Sequence, residues 1–168
     1  MILFMHGLMS NRIINTKYKA ITGKKICKTV KYHTETYDKI SGFYDTLIRL
    51  HKPKLIVGHS MGGYWAIKKS KEYGIPCIAM NPHVKPRQLG MFDDYENLTL
   101  DYFTKNVYLH LELGDAILNM ELLYKAVYAT DCVINVFEGG SHFVKYTDAM
   151  NATIDKILKD VNNEVFSS

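Results

Sequence analysis

Five residues, Gly58-His59-Ser60-Met61-Gly62, carry the strongest chemical signal in the chain. They follow an apolar run, Leu55-Ile56-Val57, and open a stretch with helical spacing, Met61 to Tyr73. A Gly-x-Ser-x-Gly turn between a strand and a helix is a nucleophile elbow, which strains the serine backbone and lifts its hydroxyl clear of the sheet. Side chains two residues to either side would collide there, which accounts for Gly58 and Gly62. A serine hydroxyl is a weak nucleophile at neutral pH and needs a base, itself oriented by an acid. Behind such an elbow the acid and then the base follow the serine along the chain.

Two residues answer in that order. Asp115 stands directly after an apolar strand, in Leu113-Gly114-Asp115, and His142 stands in the loop Glu138-Gly139-Gly140-Ser141-His142. In a parallel sheet both positions lie at strand C-terminal ends, beside Ser60. The competitors fit less well. His59 belongs to the elbow and is expected to point elsewhere; His6 precedes the serine and suits an entrance loop; His83 and His110 have no comparable placement. Glu112 alternates with Leu111 and Leu113 inside a strand, Asp131 precedes a strand, and Asp148 lies a helical stretch beyond His142. Attack on a carbonyl also needs donors aimed at the developing oxyanion. The backbone N–H of Met61, after the serine, is one candidate, and that of Leu8, in His6-Gly7-Leu8-Met9, is the second. Gly7 lets the backbone there come close to a substrate.

These residues need strand ends to hold them, and the chain alternates short apolar runs with amphipathic stretches, the pattern of parallel strands joined by helices. Strands are expected at Ile2–Met5, Cys27–Tyr32, Leu55–Val57, Ile75–Met80, Val107–Leu113 and Cys132–Phe137. Helices are expected at Tyr18–Ile21, Tyr37–Leu50, Met61–Tyr73, Leu118–Ala129 and Phe143–Val161, with Pro53 and Gly74 as stops. Residues 83–105 are the least periodic and suit a short flap or irregular helices. Their stretch Met91 to Phe103 is a candidate wall for an acyl pocket, whereas Tyr64 and Trp65 suit the helix–sheet interface.

At 168 residues the chain has the size of one domain, able to bury about 70% of its unfolded surface without staples. Residues 1–168 are read as that single domain, without repeat or linker. Hydrophobic residues at 47% and charged residues at 23% place it with globular proteins, and no run is long enough to span a bilayer. The opening Met-Ile-Leu-Phe-Met lacks the basic flank of a signal peptide, so a cytoplasmic location is expected. Cys27, Cys77 and Cys132 show no pairing or metal spacing and read as small reduced core residues. The net charge of +4 comes from scattered lysines, Lys17, Lys19, Lys24, Lys25, Lys28 and Lys31 among them. They read as solvated surface, not as the basic stripe of a nucleic-acid binder. No cofactor and no metal site are expected.

The chain resembles the YqiA-like esterases, a compact branch of the α/β-hydrolase superfamily. The resemblance rests on Met5-His6-Gly7, Gly58-His59-Ser60-Met61-Gly62-Gly63-Tyr64, Asn81-Pro82 with Val84 and Pro86, Leu113-Gly114-Asp115, and Glu138-Gly139-Gly140-Ser141-His142-Phe143. It implies a three-layer α/β-hydrolase fold with a reduced, mostly parallel sheet, helices on both faces and no large cap. It also implies a Ser60, Asp115, His142 triad. Ala116, Ser141 and His83 depart from residues common in that family, which bears on substrate preference. The expected activity is cleavage of small carboxylic esters or thioesters through an acyl-enzyme. The alternatives are acyl transfer at the same site, or a binding protein that keeps the fold without turnover. Acyl chain, leaving group and oligomeric state are not legible.

Overall fold

A computed structural model describes residues 1–167. Six strands, β1 (Ile2–Met5), β2 (Lys25–Cys27), β3 (Leu55–His59), β4 (Cys77–Met80), β5 (Val107–Glu112) and β6 (Val133–Phe137), form one sheet in the order β2-β1-β3-β4-β5-β6. All five pairings are parallel. Parallel strands are covered on both faces and so read as unbroken apolar runs; every residue of β1, β3 and β4 is buried. The connections are α1 (Thr16–Ala20), α2 (Tyr37–His51), α3 (Met61–Tyr73), α4 (Met120–Val127) and α5 (Thr147–Ser167).

Alternation along the strands sorts the core into two layers. Leu3, Met5, Ile56, Ala79 and Leu109 face α2, α3 and α4, while Ile2, Phe4, Val57, Ile78 and Met80 face α1 and α5. The result is the expected three-layer architecture, with helices on both faces. The chain leaves β1 for β2 on one side, then crosses back to place β3 on the other. Strand order therefore reverses between β1 and β3, and the crevice beyond their C-terminal ends is where open α/β sheets bind ligands. His6 and Ser60 are the residues that follow those two ends.

The structure corrects several expected boundaries. The second strand covers Lys25–Cys27 and not Cys27–Tyr32. The alternation of buried Val30 and Tyr32 is real, but it serves a loop: Val30 N–H donates to His6 Nε2 at 2.8 Å and the Tyr32 hydroxyl donates to the His6 carbonyl at 2.8 Å. The last helix starts at Thr147, four residues later than Phe143, because Val144 takes φ 60°. Residues 83–105 form two short 3₁₀ turns, Pro86–Leu89 and Leu100–Tyr102. Much of that segment is core: Phe92, Tyr95, Leu98 and Phe103 are buried against α3, with Tyr95 edge-on to Trp65. Lys17 departs from the expected solvated surface, since it is buried. Among the described residues no helix is long and apolar enough to cross a membrane.

Candidate active site

Ser60 sits between β3 and α3 with φ 55° and ψ −116°, close to the strained corner of a type II′ turn that glycine favours. Its backbone is locked on both sides. The N–H donates to the Met80 carbonyl at 3.0 Å, and the carbonyl accepts from Gly63 at 2.9 Å and His83 at 3.0 Å. The turn depends on the absence of side chains beside it. A Cβ on Gly58 would lie 2.1 Å from the Gly62 carbonyl oxygen, and one on Gly62 would lie 1.9 Å from that of Met5. A Cβ on Gly63 would meet Pro82 Cβ at 2.8 Å. Gly63→Ala is expected to cost about 1–3 kcal/mol as an overpacking substitution, read as a lower denaturation midpoint.

The structure brings Asp115 and His142 together. His142 Nδ1 lies 2.7 Å from Asp115 Oδ2, and the carboxylate is fully buried. The other carboxylate oxygen accepts from Ile117 and Leu118 N–H, each at 2.8 Å. An ionised carboxylate only accepts, so His142 carries its proton on Nδ1 and leaves Nε2 bare. Ser60, His142, Gly7 and Leu8 line one cavity of about 560 Å³. Among the described residues no hydrogen bond joins the Ser60 hydroxyl to His142 Nε2, and catalytic hydrogen bonds are often long or poorly aligned where no substrate is bound. Among the described residues, the N–H groups of Leu8 and Met61 have no protein acceptor. Gly7 closes the approach on that side, its Cα facing Ser60 so that an added Cβ would lie 3.3 Å from Ser60 Cβ.

Other residues hold the site together without having been read as part of it. The most important is Glu112, the buried last residue of β5. Its Oε2 accepts from Ser141 N–H at 2.8 Å and Lys145 N–H at 2.9 Å; Oε1 accepts from Tyr146 N–H at 2.9 Å and His110 Nε2 at 3.1 Å. One carboxylate thus ties both ends of the loop that carries His142. Burial alone would raise its pKa, but these donors outweigh burial and hold it below its ordinary value. Gly140 is glycine for the same reason, because a Cβ there would lie 2.1 Å from Glu112 Oε2. Asn81 adds a brace: its Nδ2 donates to the Ser141 carbonyl at 3.0 Å and its Oδ1 accepts from Glu112 N–H at 2.9 Å.

His59 does not point elsewhere. Its Nε2 donates to the His142 carbonyl at 2.5 Å, and the two rings lie 5.0 Å apart. Burial first, then the nearby Lys17 charge, push its pKa well below the usual range, so it stays neutral. His6 is a buried strut whose Nε2 accepts from Val30, which leaves Nδ1 to donate to the Gly7 carbonyl at 2.7 Å. The Met91 to Phe103 stretch does not wall this cavity. Leu98, Leu100 and Phe103 line a second one, of about 690 Å³, which shares His83, Ile117 and Leu118 with the first. Among the described residues no group of three or more His, Cys, Asp or Glu is placed to hold a metal ion.

A family model described as an uncharacterised protein family, UPF0227, matches residues 1–134. Among solved structures, Est1E from Butyrivibrio proteoclasticus is similar at TM-score 0.74 and 12% identity, over 94% of this chain and 88% of its own. MGS-MChE2, an alpha/beta hydrolase enzyme from the metagenome of lagoon sediments at Mar Chica, Morocco, is similar at TM-score 0.68 and 11% identity, over 96% and 91%. The esterase domain of a Rhodothermus marinus protein follows at TM-score 0.61 and 14% identity, over 89% and 80%. At these identities the likeness is one of fold.

Proposed function

The chain belongs to UPF0227, the YqiA-like family, and has the α/β-hydrolase fold, and from that premise we propose that it is a serine hydrolase of carboxylic esters or thioesters. The observation that carries this reading is the 2.7 Å pair of His142 Nδ1 and Asp115 Oδ2, which leaves a bare Nε2 in the cavity that also holds Ser60. In this mechanism Nε2 takes the Ser60 proton as Oγ attacks the substrate carbonyl carbon. Asp115 stabilises the imidazolium, and the N–H groups of Met61 and Leu8 receive the tetrahedral oxyanion. Collapse breaks the bond to the alcohol or thiol, which leaves with the proton from His142. Water then attacks the acyl-enzyme by the same steps and frees the acid and Ser60.

A fluorophosphonate probe tests the assignment on the folded protein. Ser60 Oγ is expected to displace fluoride from phosphorus and to be the labelled residue in a peptide digest. His142→Ala is expected to slow labelling by about 10²–10⁴-fold, the usual contribution of a general base. An unlabelled wild-type protein overturns the proposal.

A further inference from the structure

Among the described residues three lysines are buried, and two of them have hydrogen-bond and ion-pair partners. Lys69 donates to Ser41 Oγ, Asp45 Oδ1 and Glu72 Oε2 at 2.8, 2.7 and 2.5 Å. Lys68 donates to the Tyr102 hydroxyl and pairs with Glu96 at 3.6 Å. Burial would push both ammonium groups down, yet their partners outweigh it and hold both pKa values up. Lys17, in α1, differs. It is only 5% exposed and lines the Ser60 cavity, but among the described residues its Nζ has no hydrogen-bond or ion-pair partner. The ring centroid of Phe143 lies 5.7 Å from Nζ. Burial pushes it down to about 8, partly opposed by Glu112, whose carboxylate is already committed to four other donors.

Lysines this enclosed are normally paired, whereas Lys17 Nζ is not sealed from solvent and stays open to a partner from the cavity. The cavity supplies no partner of its own. Among the described residues no Asp or Glu lines it, and the hydrocarbon walls come from Leu8, Ile14, Leu89, Ile117 and Phe143. The other titratable side chains lining the cavity are His59, which burial keeps neutral, His83 and His142. An apolar chamber with one cation at its wall suits a ligand with a hydrocarbon body and one negative end. Among the described residues Lys17 is also the only Lys or Arg lining the cavity, which suits a singly charged carboxylate better than a phosphate with several oxygens to satisfy.

We propose that Lys17 is a specificity-determining residue whose ammonium group receives a carboxylate carried by the substrate, so that the preferred esters are half-esters of diacids or esters of carboxylated alcohols. This inference rests on the serine-hydrolase reading of the same cavity and names its substrate class.

The test compares charged and neutral twins. On the acyl side, mono-4-nitrophenyl glutarate, adipate and suberate are set against their terminal primary amides. On the alcohol side, the acetate ester of 4-hydroxybenzoate is set against that of 4-hydroxybenzamide. Spontaneous cleavage is subtracted with Ser60→Ala protein. In one arm wild type is expected to favour the carboxylate in kcat/KM by about 10–100-fold, equivalent to about 1.4–2.7 kcal/mol. Lys17→Met is expected to bring that ratio close to one; the arm that responds tells which side of the ester carries the charge. A wild-type ratio of one in both arms overturns the inference even if Lys17→Met fails to fold. So does a Lys17→Met protein that keeps the wild-type ratio. Neutral esters cleaved through Ser60 without charge preference sink Lys17 alone, whereas no Ser60-dependent cleavage of any ester sinks the hydrolase reading with it.

Discussion

Ser60→Ala protein is expected to cleave esters about 10⁴–10⁶-fold more slowly than wild type while melting within a degree or two of it. The kinetic half follows from removing the attacking oxygen, which leaves only oxyanion and binding contributions to act on water. The stability half follows from the hydroxyl's surroundings. Among the described residues Ser60 Oγ makes no hydrogen bond within the protein, and every bond that fixes the turn comes from the Ser60 backbone. A methyl group in its place leaves no buried group unsatisfied, so the change should stay within about 0.5 kcal/mol. Ser60→Gly adds a further contrast. At φ 55° and ψ −116° a side chain costs about 1–3 kcal/mol that glycine does not, so this equally inactive variant should melt above wild type. Thermal melts beside a 4-nitrophenyl butyrate assay check both halves. Undiminished turnover in Ser60→Ala would assign the chemistry to another group, and a collapsed melting temperature would make the hydroxyl structural.

The backbone that holds Ser60 in place is also among the parts of the molecule most legible in the sequence. β1, β3, β4 and α3 occur close to their expected positions because their signals are local. Each strand is an apolar run covered on both faces, and Gly74, at φ 68°, ends α3 in the left-handed conformation that glycine adopts cheaply. Asp115 and His142 were reachable because strand ends in a parallel sheet share one edge. What escaped depends on contacts across long separations. The second strand stops at Cys27 because Val30 and Tyr32 are claimed by His6, more than twenty residues earlier. Lys17 looks like any other lysine of its segment until the His142 loop, with Phe143, closes over it. Alternation shows which face of the sheet a residue occupies, but not what lies above the strand end. For that reason Glu112 reads as an unremarkable strand residue, and His59 as one turned away.

Glu112→Gln is the sharpest test of what lies above that strand end, and it is expected to cost about 2–4 kcal/mol and to lower kcat/KM by about 10–100-fold. The two side chains have nearly the same shape, so packing is preserved and chemistry alone changes. An amide has one acceptor oxygen where the carboxylate has two. Its best placement keeps oxygen against Ser141 and Lys145 N–H and turns nitrogen toward His110, which can switch tautomer to accept. Tyr146 N–H then faces a donor and is orphaned, costing about 1–3 kcal/mol, and the two surviving bonds lose their charge assistance. With the loop slackened on one side, His142 need shift by only about 1 Å for a loss near 10²-fold. The pH dependence separates this account from simple misfolding. A carboxylate whose folded pKa lies below its unfolded value contributes stability that is complete above the unfolded pKa and is lost as pH falls through the folded one. Glu112 is of this kind, with an ordinary value of 4.5. The melting-temperature gap between wild type and Glu112→Gln should therefore be widest at neutral pH, about 5–15 °C for a chain of this size, and should narrow as pH drops below about 4.5. A gap that holds constant into acid would mean that the charge of Glu112 is not what ties down the His142 loop.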